Sequence, residues 1–311
     1  MNMSGTHLIT GGAGFVGSSL ARGLSNGDGE VLIVDDLSTG SRLNLPDEAI
    51  FIEANLCDDF LYDRLSDYDV DFVHHLAAQS SGEKSFDDPV TDFRSNVEGT
   101  FKLLNWSLTQ NVTQFLFASS MSVYGSPMYL PVDEDHRVSP KSYYAAGKLA
   151  AESYVRLHAN LGLNTTIFRL FSVYGPGQNM RNMKQGMVSI YLAFILNDDK
   201  LIVKGSTDRF RDFVFIDDVV DAWIMTTGEP TSFDETYNVA CSEKIEISEL
   251  IDTILSTNGT PEYPIQVQEG TPGDQFGIYG DASKLEYDTG WKPAHTIQSG
   301  IKRMIAAEKQ N

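Results

Sequence analysis

The chain has 311 residues, of which 41% are apolar and 21% charged. This is ordinary globular usage, leaving room for one or two domains and excluding a disordered or membrane-spanning class. Its 23 Lys and Arg stand against 43 Asp and Glu, a net charge of −20 that argues against nucleic acid or an anionic membrane as a main partner. Two cysteines, Cys57 and Cys241, make no disulfide framework, and with six scattered histidines no metal site is expected. The opening MNMSGTHLIT does not support a secretory leader, so a reducing cytoplasm is the expected compartment.

Short apolar runs at 7–10, 31–35, 50–53, 72–76, 115–119 and 165–170 read as buried strands. The stretches 14–25, 91–110 and 142–161 between them read as helices. Strand alternating with helix predicts an α/β fold of the Rossmann type, a doubly wound parallel sheet, over residues 1–174. After Gly175-Pro176-Gly177 the segments shorten and turn signals recur, at Asn258-Gly259, Pro261, Pro264, Pro272-Gly273 and Pro293. A smaller α/β domain is expected there, over 175–311, with the strand-like stretches 213–216 and 236–239 as candidates to return to the first sheet.

The first strand runs into TGGAGFVG (10–17), whose Gly11, Gly14 and Gly17 fit a GxxGxxG spacing and whose Gly12, Gly14 and Gly17 fit GxGxxG. Such a turn lets backbone amides reach a pyrophosphate at a helix N-terminus. Asp35 ends the second strand 18 residues after Gly17, where a carboxylate accepts hydrogen bonds from an adenosine ribose. That carboxylate would repel a 2′-phosphate, favouring NAD over NADP, with nearby Arg42 the one feature on the other side. Ser120 closes the fifth strand, at the edge where ligands of an open α/β sheet collect. Tyr144 and Lys148 are four apart on a helix and share a face, and an ammonium beside a phenol lowers its pKa toward that of a usable base. His74 and His75 read as core.

Taken together, TGGAGFVGS (10–18), VDDLSTG (34–40), HLAA (75–78), SSMSVYG (119–125), YYAAGK (143–148), FRLFSVYGPGQ (168–178), RDFVFIDDV (211–219), YNVA (237–240) and PGD (272–274) resemble the extended short-chain dehydrogenases/reductases. Within these, the likeness is to the NAD-dependent nucleotide-sugar epimerases and dehydratases, and it covers nearly the whole chain. The resemblance implies an N-terminal NAD-binding domain, a smaller nucleotide-sugar domain and a homodimer. It places Gly11, Gly14, Phe15, Val16 and Gly17 at the pyrophosphate, Asp35 at the ribose, and Asn55 and Leu56 at the adenine. Leu76, Ala77, Ala78, Ser95 and Asn96 would lie along the cofactor, and Phe171 beside the nicotinamide. Ser120, Tyr144 and Lys148 would be catalytic, with Lys148 also reaching the nicotinamide ribose. Ser172, Gly186 and Met187 would lie at the sugar nucleotide, and Arg211 at its diphosphate, unless a salt bridge to Asp212 or Asp217 claims it.

The shared first step implied by the resemblance is oxidation at the sugar C4. Dehydratases of the family carry an Asp-Glu pair after the strand-end Ser or Thr, where this chain has Met121 and Ser122. That difference argues for 4-epimerisation, with UDP-glucose and UDP-galactose as the first expectation; hexoses linked to dTDP, CDP or GDP fit almost as well. Departures from the UDP-galactose epimerase pattern at Gly270-Thr271-Pro272, ahead of Gly273-Asp274, and at 185–188 imply fewer positive contacts to the diphosphate. A dehydratase, a dehydrogenase or reductase that consumes NAD(H), and a non-catalytic scaffold remain the alternatives; the intact Ser120, Tyr144 and Lys148 speak against the last. The helix bearing Tyr144 carries Leu149, Tyr154, Val155 and Leu157, which face either a partner copy in a four-helix bundle or the sheet.

Overall fold

The computed structural model describes residues 4–270, 273 and 275–309. The chain runs β1 (Thr6–Thr10), α1 (Phe15–Leu24), β2 (Glu30–Asp35), β3 (Ile50–Glu53), α2 (Asp59–Leu65), β4 (Phe72–His75), α3 (Gly82–Asp87), α4 (Pro89–Phe93), α5 (Gly99–Thr109), β5 (Gln114–Ser120), α6 (Tyr143–Ala159) and β6 (Thr165–Leu170). It continues through β7 (Ser172–Tyr174), α7 (Met187–Leu196), β8 (Leu201–Lys204), β9 (Phe210–Arg211), β10 (Phe213–Phe215), α8 (Ile216–Thr226), β11 (Glu235–Val239), β12 (Ile245–Glu246), α9 (Ile247–Asn258), β13 (Ile265–Gln268), α10 (Ser283–Thr289) and α11 (Ile297–Glu308).

Seven parallel strands form the central sheet in the order β11-β6-β5-β4-β1-β2-β3. The inner strands are apolar along their length because both faces are covered. On one face Leu20 and Leu24 of α1 and Val219 and Trp223 of α8 pack on Ile9, Ile33 and Phe168. On the other, Leu61, Leu65, Leu103, Leu104 and Val155 from α2, α5 and α6 pack on Leu8, Leu32 and Phe117. A third core gathers α7, α9 and α11 against β8 and β10. Sheet order reverses between β1 and β4, so their carboxyl ends flank the crevice where ligands of such sheets bind.

Two expectations need correction. Of the two candidate return strands, 236–239 joins the sheet as part of β11, but 213–216 does not: β10 pairs with β7 in a separate two-stranded ribbon. Local periodicity marks a strand without marking its partner. Here the chain leaves the sheet after Leu170, as Phe171 N–H bonds to Val239 and the next amide, Ser172, to Asp212. The helix expected over 91–110 is two helices, α4 and α5, joined by a π-helical turn at Arg94–Glu98. His74 and His75 lie in the core at 0% exposure. His75 sits between the hydroxyls of Thr10 (2.7 Å) and Thr100 (2.8 Å), and Trp223 Nε1 donates to His74 Nδ1 at 3.0 Å. Burial pushes both imidazoles well below their ordinary range, which keeps them neutral.

Candidate active site

The glycine-rich turn is built so that main chain passes main chain. Gly11 has φ +74°, and a Cβ there would lie 2.6 Å from the Ala77 amide nitrogen at the end of β4. A Cβ on Gly17 would overlap the Gly11 carbonyl oxygen. Gly14 caps α1 without contributing a side chain to the first amides of the helix, where Phe15 and Val16 begin it. Asp35 accepts from the Ala13 amide (3.0 Å) and the Leu37 amide (2.8 Å), fixing the loop after β2 over this turn. Burial raises the Asp35 carboxyl, and those two donors pull the other way. Gly17→Ala is expected to destabilise the fold by about 1–3 kcal/mol, the usual range for an overpacked site, and to abolish retention of dinucleotide. Melting temperature and the nucleotide content of purified protein check this.

Farther along the crevice Asn55 donates through Nδ2 to Asp36 (2.8 Å) and accepts the Cys57 amide through Oδ1 (2.9 Å), so its carbonyl has one lone pair left for an adenine amino group. Leu56 is buried against Gly99. Leu76, Ala77 and Ala78 follow β4 and stay partly exposed, as does Ser95 on the π-helical turn. Beside it Asn96 is 1% exposed; its amide donates to Gln79 O (3.0 Å) and Asp92 Oδ1 (3.1 Å), while its own Oδ1 has no partner. A buried acceptor left open costs about 1–3 kcal/mol, so it marks a place where a ligand donor fits. The bare glycine turn, the carboxylate ending β2 and this open acceptor suit a dinucleotide.

Ser120, at the carboxyl end of β5, accepts the Ser122 amide at 3.2 Å and donates to Ser122 Oγ at 3.1 Å, and its hydroxyl acts on Tyr144 on the first turn of α6. Lys148 lies one turn deeper, 2% exposed, with Nζ donating to Ala118 O at 2.8 Å and lying 4.8 Å from the centre of the Phe117 ring. The sequence-based expectation of a phenol lowered by Lys148 is not met in this state. Burial raises Tyr144, the Ser120 hydroxyl opposes it, and Asp92 adds to the rise. Burial likewise lowers Lys148 to about 8, against the charges of Asp92 and Glu152. The ammonium is therefore present below pH 8 and lost as pH rises through it. Lys148 is expected to titrate near pH 8, well under an ordinary lysine, in a 13Cε-lysine NMR titration.

On the facing side, Phe171 is buried against Gly280, and Ser172 is partly exposed at the start of β7. Gly186 and Met187 open α7 and are carried to the crevice by two contacts, Gln185 Nε2 to Ser80 Oγ (2.8 Å) and Ser81 Oγ to Lys184 O (3.0 Å). Ion pairs Lys184–Asp87 (2.9 Å) and Lys204–Glu83 (3.2 Å) tie this segment and the end of β8 to α3. Arg211 is 4% exposed and donates to the carbonyls of Phe210 (2.7 Å), Gln275 (2.7 Å) and Phe276 (3.3 Å). Of its two expected acidic competitors, Asp217 pairs with Arg303 and Asp212 accepts the Cys241 and Gly280 amides. Thr271, Pro272 and Asp274 lie outside the described residues. A separate cavity of about 490 Å³ between α1, α8 and residues 295–303 contains none of the expected site residues.

Sequence reading missed the buried network that holds the crevice in shape. Glu152 of α6 accepts Ser119 Oγ (2.6 Å), Arg169 Nε (3.0 Å) and Nη2 (2.8 Å), and Arg156 (3.0 Å). Arg169 continues to the Tyr124 hydroxyl (3.1 Å), which donates to Asn238 of β11 at 2.6 Å. The available signal was Glu152 at four residues beyond Lys148, on the same helix face. Among the described residues no helix is long and apolar enough to cross a membrane, and no cluster of His, Cys, Asp or Glu is arranged to hold a metal.

A doubly wound sheet with a glycine cradle at its first turn, and a Tyr/Lys pair beside a strand-end serine, defines an enzyme of the extended short-chain dehydrogenase/reductase class. The description of the NAD dependent epimerase/dehydratase family matches residues 7–240. UDP-glucose 4-epimerase of Mycolicibacterium smegmatis is 35% identical over 306 residues, 96% of either chain. The crystal structure of UDP-glucose 4-epimerase from Thermotoga maritima with UDP-glucose superposes with a TM-score of 0.94 at 29% identity, covering 98% of this chain and 99% of that one. The Thermus thermophilus UDP-glucose 4-epimerase complex with NAD gives 0.92 at 30% identity, with the same coverage. The protein belongs to the NAD dependent epimerase/dehydratase family, acts in the nucleotide-sugar branch of its chemistry, and uses NAD as its cofactor.

Proposed function

We propose that the protein is a nucleotide-sugar 4-epimerase that interconverts UDP-glucose and UDP-galactose. The observation that carries this reading is the placing of the strand-end Ser120 with Tyr144 and Lys148 of α6 at the sheet edge, followed at 121 and 122 by a methionine and a serine rather than an acid and a base. NAD, which the glycine turn and Asp35 would hold, would supply the hydride acceptor for the sugar C4 without net consumption. The Ser120 hydroxyl holds the C4 oxygen, and Tyr144 takes its proton. Lys148 provides the positive charge that favours the phenolate once the crevice is filled and Nζ is drawn from Ala118. With no side chain at 121 or 122 able to move protons at C5 or C6, a 4-keto sugar keeps those carbons intact, and its fate is reduction from the other face. Residues 1–174 with β11 hold the cofactor and residues 175–311 the sugar nucleotide, through Ser172, Gly186, Met187 and Arg211. Incubation with UDP-galactose and the corresponding UDP-, dTDP-, CDP- and GDP-hexoses, without added NAD, is expected to yield the C4 epimer of the UDP sugar with no net NADH. A 4-keto-6-deoxy sugar or stoichiometric NADH would contradict it.

The same reading makes the protein a homodimer. Leu149 and Val155 of α6 pack into the cores, but Leu157 is 56% exposed, and Val90, Phe93 and Phe101 are exposed on α4 and α5. These supply the apolar face of a four-helix bundle with a second copy. Light scattering is expected to give twice the chain mass for the native protein and the chain mass alone for Phe101→Glu combined with Leu157→Glu.

A further inference from the structure

We propose that Asp92 is a positioning residue of the catalytic pair, a buried carboxylate that locks the Asn96 amide and stands as the negative charge facing Lys148 and Tyr144 across the bare backbone of Gly147. It rests on the reading of Tyr144 and Lys148 as the reacting groups.

Asp92 lies on α4, immediately before the π-helical turn, and is 1% exposed. Carboxylates are seldom buried without a cation or donors, because desolvation disfavours the charge. Here Oδ1 accepts two side-chain amides, Gln79 Nε2 at 2.8 Å and Asn96 Nδ2 at 3.1 Å. Burial raises the Asp92 carboxyl, while both donors and the charge of Lys148 pull toward the ionised form, and the first donor is itself fixed, since the same Gln79 nitrogen donates to Ser81 O at 2.9 Å. Oδ2 points at α6: a Cβ built on Gly147 would lie 3.4 Å from it and 3.3 Å from Asn96 Cβ. Gly147 stands between Tyr144 and Lys148 in sequence, so the absence of a side chain there leaves the carboxylate facing both.

The amide geometry has a second effect. Because both Asn96 donors are directed, to Gln79 O and Asp92 Oδ1, the orientation of that side chain is settled and its Oδ1 is the atom left open. π-helical turns concentrate at functional sites because the extra residue re-aims a side chain. In this chain Asp92, four residues before Asn96, holds that aim.

Asp92 is one of two negative groups acting on Lys148; the other is Glu152 from the same helix as the lysine, itself engaged by Arg169 and Arg156. From β4, the neutral His75 faces the lysine, and from β5 the Ala118 carbonyl and Phe117 ring do so. Asp92 also acts on Tyr144, disfavouring its phenolate, so the carboxylate holds the proton on both partners until a ligand arrives.

The test is a 13Cε-lysine titration of the native protein, Asp92→Asn and Asp92→Ser, with Lys148→Arg to identify the signal and thermal unfolding to confirm that each variant folds. Asparagine keeps an oxygen for Gln79 and Asn96, and serine removes the charge by a different route. The Lys148 midpoint is expected to fall from near pH 8 by roughly one unit in both variants, a change of about five-fold in the ammonium fraction at pH 8. An unmoved midpoint in both would overturn the proposal. This readout needs no substrate. A shifted midpoint in a protein that leaves UDP-galactose untouched upholds the role of Asp92 and removes the epimerase reading; an unshifted midpoint with a normal epimerisation rate does the reverse.

Discussion

Tyr144→Phe is expected to lower kcat for C4 epimerisation by roughly 10²–10⁴-fold, the usual contribution of a positioned proton-transfer group. The substitution keeps the ring on the first turn of α6, removing only the oxygen that meets Ser120. The loss should therefore fall on kcat, with thermal stability close to that of the native chain. Ser120→Ala should cost less, because the phenol remains while one hydrogen bond to the C4 oxygen is lost, about 0.5–1.5 kcal/mol in a neutral pair. A Tyr144→Phe protein with undiminished turnover would remove Tyr144 from the chemistry. A scaffold would show no turnover in either form.

Glu152→Ala is expected to cost on the order of 3–5 kcal/mol of folding stability, the range for removing one partner of a buried ion pair. Glu152 is 0% exposed and Arg169 only 4%, so the guanidinium would be left among apolar neighbours with the Tyr124 hydroxyl and the Glu134 carbonyl as remaining partners. Burial opposes the charged form of Glu152, but hydrogen bonds and charge from Arg169, with help from the Ser119 hydroxyl and Arg156, hold its carboxyl below the ordinary range. A depressed carboxyl stabilises the fold above the unfolded value, about 4.3, and that contribution is lost as pH falls below it. Denaturant unfolding at pH 7 and in mild acid should thus show a gap between native and Glu152→Ala protein that narrows in acid. Activity should fall as well, since Ser119 adjoins Ser120 and Glu152 is a negative neighbour of Lys148.

The local parts of this site were legible in the sequence. Glycines of the first turn and Asp35 act on their own neighbourhood, so spacing alone locates them; Gly11 meets Ala77 because β1 and β4 are adjacent, as an α/β alternation implies. Tyr144 and Lys148 were readable from helical spacing. What spacing could not show was the state of the pair: burial outweighs their mutual influence, and Nζ is occupied by Ala118. Long-range partners were equally hidden. Glu152, Arg169, Tyr124 and Asn238 are separated by 17, 45 and 114 residues along their successive bonds, and no local pattern links them. Arg211 was singled out by motif, but spacing did not show that its Nη1 and Nη2 donate to the carbonyls of Phe210, Gln275 and Phe276, which follows from how 275–276 folds back on β9. The π-helical turn left no trace because one extra residue in a helix changes neither composition nor apolar content. Asp92 offered a faint signal, an acid inside a helical stretch and four residues from an asparagine on the same face.

Hydride removal and return at one carbon is the claim on which the reading stands, and UDP-galactose deuterated at C4 tests it directly. Incubated with the protein in ordinary water and followed by NMR, the label is expected to appear at C4 of the UDP-glucose formed, undiluted by solvent. Deuterium lost to water, or product formed with the label at another carbon, would contradict it.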